Sequence, residues 1–287
     1  MTLNASRETL KKIIKELTWQ ARSLVSQKNI PCKFIIVGAQ KAGTTSLYDY
    51  MTLHPRIESA YEKEIHYFSK YYKKSKAWYR AHFKKRADGA SYENILTGEA
   101  SPYYLYHPLS ANRIKSFDAD MKIIIILRDP VERAYSHYHH QIRGETESLS
   151  FSEAIAVEDK RLAGKDDWIK KTNQHSPEHQ RYSYKKRGEY LEQIKRFHDH
   201  FPRENIIILN SKDLFSEPLI CLNTVWGFLG LENYIPTGEL KARNIGGYQI
   251  PDEDKKTIRM LKEYYKPLND ELFAYIKKDF GWNNEGV

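Results

Sequence analysis

The sequence predicts an α/β chain: a single domain with a central parallel β-sheet, helices on both of its faces and a P-loop-like phosphate-binding loop. Three observations carry this. Unbroken apolar runs at 33–38, 122–127 and 205–209 read as strands buried on both faces of a parallel sheet. They alternate with helical stretches at about 44–53, 132–143, 187–200 and 253–278, as crossover helices require. Two of the runs end in turns bearing Lys41 and Arg128, and open sheets of this kind bind ligands outside the carboxyl ends of their strands. With 287 residues, no internal repeat and no low-complexity linker, one large domain accounts for the chain.

Taken in chain order, residues 5–28 come first. Leu10, Ile13, Ile14, Leu17, Ala21, Leu24 and Val25 recur at helical spacing, with Lys11, Lys12, Lys15, Glu16 and Arg22 between them. This predicts an amphipathic helix within 1–30, packed on a domain spanning 31–287. A partner-docking or membrane-surface role is the alternative. The segment has no apolar run typical of a secretory signal, and no stretch of the sequence reaches the ~20 apolar residues of a transmembrane helix.

The first strand feeds Gly38-Ala39-Gln40-Lys41-Ala42-Gly43-Thr44-Thr45-Ser46-Leu47. Small residues, a lysine and hydroxyls at a helix start form a cradle for an anion, because backbone N–H groups point at it and small residues let the chain approach. A Walker A loop places its lysine after the second glycine. Here Lys41 precedes Gly43, so the loop is a poor match to a nucleoside triphosphatase.

Lys63-Glu64-Ile65-His66-Tyr67-Phe68 follows. Read as a strand, it puts Glu64 and His66 on one face by the two-residue period. Either side chain suits general-base work on a hydroxyl or amine. The next strong feature is Ile123 to Leu127 running into Arg128-Asp129-Pro130, with Pro130 placed near a helix start and Ser136 further along the helix. A guanidinium at a strand end binds phosphate through its planar fork. Near the C-terminus lie a basic Leu240-Lys241-Ala242-Arg243-Asn244 and, after a helix, Asp279-Phe280-Gly281-Trp282.

These segments, in this order, resemble the sulfotransferases that use 3′-phosphoadenosine 5′-phosphosulfate (PAPS), in the branch that includes the heparan sulfate sulfotransferases and their bacterial relatives. The resemblance runs from about Cys32 to Trp282. It implies that Lys41, Ala42, Gly43, Thr44, Thr45 and Ser46 hold the 5′-phosphosulfate and that Arg128 and Ser136 hold the 3′-phosphate. It also implies that Lys241 and Arg243 fold over the phosphates, that Glu64 is the catalytic base with His66 beside it, and that Lys41 assists the leaving group. The cytosolic small-molecule enzymes use a histidine as base, so the assignment between Glu64 and His66 stays open. Two departures stand out. Ala242 replaces a glycine of the Lys-Gly-Arg loop. Ala100, in Gly98-Glu99-Ala100-Ser101-Pro102-Tyr103-Tyr104, replaces a lysine that faces an acidic acceptor in the glycan enzymes, which weakens the case for a heparan-like acceptor. The expected reaction moves a sulfonyl group to a hydroxyl, less readily an amine, of a glycan or small metabolite, and requires no metal.

The net charge of +9 fits a polyanionic donor. The lysine runs interleaved with tyrosines, such as Lys73-Lys74 and Lys185-Lys186-Arg187, also admit a nucleic-acid-binding scaffold. That rival leaves the ordered set of phosphate motifs unexplained, and a P-loop kinase, the other alternative, lacks its Gly-Lys-Ser/Thr loop here and would need Mg²⁺. Cys32 and Cys221 read as buried thiols without metal-ligand spacing, which fits a cytoplasmic protein. Residues 144–186 show no clear pattern; they read as a lid over the crevice or as a surface insertion.

Overall fold

The computed structural model describes residues 2–85, 95–237, 240 and 250–283, apart from the side chains of 2–9, 11 and 12. In chain order the elements are α1 (Thr2–Ser23), β1 (Cys32–Gly38), α2 (Thr44–Met51), β2 (Ile57–Ser59), α3 (Lys76–Arg80), β3 (Leu96–Ala100), α4 (Ser110–Phe117), β4 (Lys122–Leu127) and α5 (Pro130–Arg143). Then come α6 (Phe151–Ala156), α7 (Glu158–Leu162), α8 (Lys165–Thr172), α9 (Pro177–Arg181), α10 (Tyr190–His198), β5 (Ile206–Asn210), α11 (Ser211–Ser216), α12 (Pro218–Phe228) and α13 (Asp252–Ile276). No described helix is long and apolar enough to cross a membrane.

The five strands form one parallel sheet in the order β2-β3-β1-β4-β5. From Phe34 to Val37 and from Ile123 to Leu127 every residue is fully buried, as their unbroken hydrophobicity required. The chain leaves β1 toward one edge of the sheet and leaves β4 toward the other, so the connections diverge between these two neighbours. That divergence opens the crevice at their carboxyl ends, where Lys41 and Arg128 follow directly.

Sequence periodicity does not announce β2 or β3. Leu96-Thr97-Gly98-Glu99-Ala100 holds a glycine and a glutamate, both poor strand formers. It becomes a strand because it docks between β1 and β2. A Cβ at Gly98 would lie 2.3 Å from the Phe34 carbonyl oxygen. Glu99 is fully buried because Tyr79, Tyr104 and Ser101 all donate hydrogen bonds to it.

Two further expectations change. Helix α1 packs on the domain, but its apolar stripe points outward, since Trp19 and polar side chains make the contacts. Residues 144–186 are packed helices rather than a surface insertion: Phe151, Ala154, Ile155 and Tyr184 form an apolar cluster with Tyr135 and Tyr138 of α5 and Leu261 and Tyr265 of α13.

Candidate active site

The loop between β1 and α2 turns on Lys41 and Gly43, with φ of 71° and 93°. A Cβ at Gly43 would lie 3.0 Å from the Phe215 ring, so space and dihedral both call for glycine. Among the described residues no side chain caps α2, and its first turn sits at the loop as a positive helix end. Thr44, Thr45 and Ser46 occupy that turn. The Ala39 N–H donates to the Ile126 carbonyl at 2.6 Å, which ties the loop to the end of β4.

Arg128 reaches the same loop from β4. Its Nη1 donates to the Lys41 carbonyl at 3.4 Å, while Nε and Nη2 donate to Glu132 at 2.8 and 2.7 Å. The fork therefore already grips a carboxylate, and that grip suits an anion of phosphate type equally. Asp129 caps α5 by accepting from Val131 and Glu132 N–H, with Pro130 at the first helical position. Ser136 is buried one turn beyond Glu132 on α5. Behind Arg128, Tyr190 donates to its carbonyl at 2.8 Å and packs on Trp282, ring centroids 5.9 Å apart. The Asp-Phe-Gly-Trp segment thus braces the site from the rear.

Lys41 is partly buried. Burial pushes its ammonium pKa down, and the neighbouring Arg143 and Arg128 push the same way against Glu64. His140 is shifted down by burial and by Lys41 and Arg143. So α5 lends the crevice one continuous row, Glu132, Ser136, His140 and Arg143. Of these only Ser136 belongs to a sequence motif; helical spacing of three or four residues from it reaches the others.

The expected strand at Glu64 and His66 is a correction. Both residues have positive φ, 63° and 57°, so the segment is an irregular turn and not a period-two strand. Tertiary hydrogen bonds impose that backbone: Glu64 N–H donates to the Ala100 carbonyl at 3.1 Å and His66 N–H to Ser101 Oγ at 3.1 Å. Ser101 in turn donates to the buried Glu99 at 2.6 Å. The two side chains still meet, His66 Nε2 lying 3.4 Å from Glu64 Oε2, and Lys63 Nζ bonds Glu64 Oε1 at 3.0 Å. Burial alone would raise the Glu64 pKa, but the His66 bond and the Lys63 charge outweigh it and hold it at about 2. This bonding pattern assigns the ring proton to Nε2 and leaves Nδ1, buried and without a partner among the described residues, as the ring's acceptor.

One more contact was not legible beforehand. Arg187, fully buried, donates to the Gln40 side chain beside Lys41 and to the Gln180 carbonyl at 2.7 Å, which hooks the 144–188 region to the loop. Lys241 and Arg243 lie outside the described residues.

A strand-loop-helix turn, an arginine at the next strand end and a carboxylate–imidazole pair thus come together at the carboxyl ends of β1 and β4. The sulfotransferase domain model matches residues 31–242, well over half of the chain, and the chain belongs to that family. It is 28% identical to the membrane-associated sulfotransferase kil1 of Dictyostelium discoideum, over 88% of this chain and 66% of that protein. It is also 28% identical to heparan sulfate glucosamine 3-O-sulfotransferase 3B1 of Homo sapiens, over 89% of this chain and 66% of that one. The chain thus spans just under two thirds of the length of these curated relatives. The crystal structure of a sulfotransferase from Alicyclobacillus acidocaldarius aligns with a TM-score of 0.71 at 28% identity, covering 89% of this chain and all of that one.

Proposed function

We propose that this chain transfers the sulfonyl group of PAPS to a hydroxyl, less readily an amine, of a glycan or small metabolite. The observation that carries the reading is the convergence of Lys41, Arg128 and the Glu64–His66 pair on the crevice between β1 and β4. The residues fit the donor: an uncapped helix start and a left-handed Lys41 suit the 5′-phosphosulfate, and a fork that already holds Glu132 suits the 3′-phosphate. When bound, PAPS supplies the sulfonyl group and leaves as adenosine 3′,5′-bisphosphate.

In this mechanism Lys41 and the N–H groups of Thr44, Thr45 and Ser46 hold the 5′ end, and Lys41 neutralises charge that grows on the leaving oxygen. Arg128 and Ser136 anchor the 3′-phosphate, and Lys241 and Arg243 close over it. Glu64 accepts the acceptor's proton. A carboxylate held at about pKa 2 is a weak base, and His66, whose Nε2 lies against it, orients it toward the acceptor. The two free, buried thiols support a reducing, cytoplasmic setting within the same proposal.

On the acceptor, the relatives' names favour a sugar hydroxyl, while Ala100 argues against a strongly acidic one. The test is transfer of label from sulfur-labelled PAPS to a panel of glycans and small hydroxylated metabolites. Label must appear in an acceptor in the wild type and vanish in Glu64→Gln. Turnover of ATP with magnesium in place of PAPS would overturn the reading.

A further inference from the structure

Helix α1 is mounted with its polar side inward. Trp19 is buried and stacked on His82, ring centroids 3.9 Å apart, and Arg22 lies over the Tyr61 ring at 4.0 Å. Lys15 pairs with Glu62 at 3.0 Å, and Glu16 pairs with Lys74. The opposite side presents Leu10, Ile13, Ile14 and Leu17, each more than half exposed, and Leu24, just past the helix, is 85% exposed. At 3.6 residues per turn, Leu10, Ile14, Leu17 and Ala21 fall in a stripe roughly 60° wide, nearly opposite Trp19. An apolar stripe this long on a charged surface marks a contact.

Spacing and charge identify what covers it. Leu3, Leu10 and Leu17 recur every seven residues along the helix, with Ile14 and Ala21 four after Leu10 and Leu17, and Leu24 continues the spacing just past its end. That is leucine at d and a β-branched or small residue at a, the pattern that favours two-stranded coils. Arg7 takes the remaining a position, where a polar residue fixes register at some cost in stability. Beside the seam, from residue 11 to 20, stand Lys11, Ile13, Thr18 and Gln20, nearly uncharged, so two copies meet with little repulsion. A lipid surface would instead want several cations flanking the stripe; Lys11 stands there alone, and Lys15 and Arg22 are turned to Glu62 and Tyr61 on the domain.

We propose that α1 is a dimerisation element, pairing with α1 of a second copy in a parallel two-stranded coil that carries one domain on each outer side. Two such stripes bury on the order of 1,000 Å² in total, the low end for a specific interface, so the dimer is concentration-dependent.

Sedimentation equilibrium of the full chain tests this. The mass should climb from 33.8 kDa toward twice that value between about 1 and 100 μM. Leu17→Glu, with an unchanged circular dichroism spectrum, should stay at one chain throughout. Ile14→Cys should cross-link between chains on oxidation, whereas Lys15→Cys, on the domain side, should not; Cys32 and Cys221 are buried and give little background. A wild type that stays monomeric, a dimer indifferent to Leu17→Glu, or an Ile14→Cys dimer that fails to cross-link overturns the proposal. So does a monomer that binds phosphatidylserine vesicles through the stripe.

Discussion

The two halves of the crevice are built differently. The half we propose for the phosphates stands on β1 and β4, strands with fully buried cores whose ends deliver Lys41 and Arg128. The Glu64–His66 half stands on an irregular turn with two left-handed residues, held by Ala100, Ser101 and, behind them, buried Glu99. Local sequence dictates the first half. The second depends on contacts across more than thirty residues of chain, so its geometry is the more sensitive to a remote change.

The sharpest way to separate the halves is Glu64→Gln, which keeps shape and removes the proposed base. It should lower kcat/KM by about 10²–10⁴-fold and leave adenosine 3′,5′-bisphosphate affinity unchanged. The pH profile adds a sign. A carboxylate depressed from 4.5 to about 2 stays ionised above that value, so the wild type should show no acid limb in the ordinary carboxylate range. Activity falling through the range where imidazoles titrate would move the base to His66, and His66→Ala would then be the dead variant.

Lys41→Ala comes next. The single-turnover rate at saturating PAPS should fall by about 10²–10³, the scale of one removed donor in analogous sites, with a smaller loss of affinity. An unchanged chemical step with weaker binding would reduce Lys41 to a ground-state phosphate ligand.

Ser101→Ala tests whether the turn depends on its support. It strands the His66 N–H and takes one bond from Glu99, a cost of about 1–3 kcal/mol for an unsatisfied buried group. The turnover loss should be about tenfold, short of the ~10² that a 1 Å displacement produces. Nucleotide affinity should not move. If it does, the halves are coupled and the comparison fails.

The same contrast explains what could be read in advance. The runs at 33–38 and 122–127, the Lys41 loop and the Arg-Asp-Pro turn announce themselves because each is a local pattern. Glu64 and His66 were legible as chemistry but not as geometry: nothing in Lys-Glu-Ile-His states a positive φ, which the hydrogen bonds their N–H groups donate to Ala100 and Ser101 impose. Strand β3 was missed because Gly98 and Glu99 look like a turn until Phe34 and Tyr79 surround them. Gln40 and Arg187 meet across 147 residues, a pairing that no local pattern encodes.

The central claim is that the crevice is built for a nucleotide with phosphates at both 3′ and 5′ positions. Thermal unfolding with adenosine 3′,5′-bisphosphate against AMP tests it most directly. At a hundredfold excess over Kd the bisphosphate should add about 2.7 kcal/mol, AMP should add much less, and Arg128→Ala should erase the difference. Equal shifts for the two nucleotides in the wild type would contradict the account.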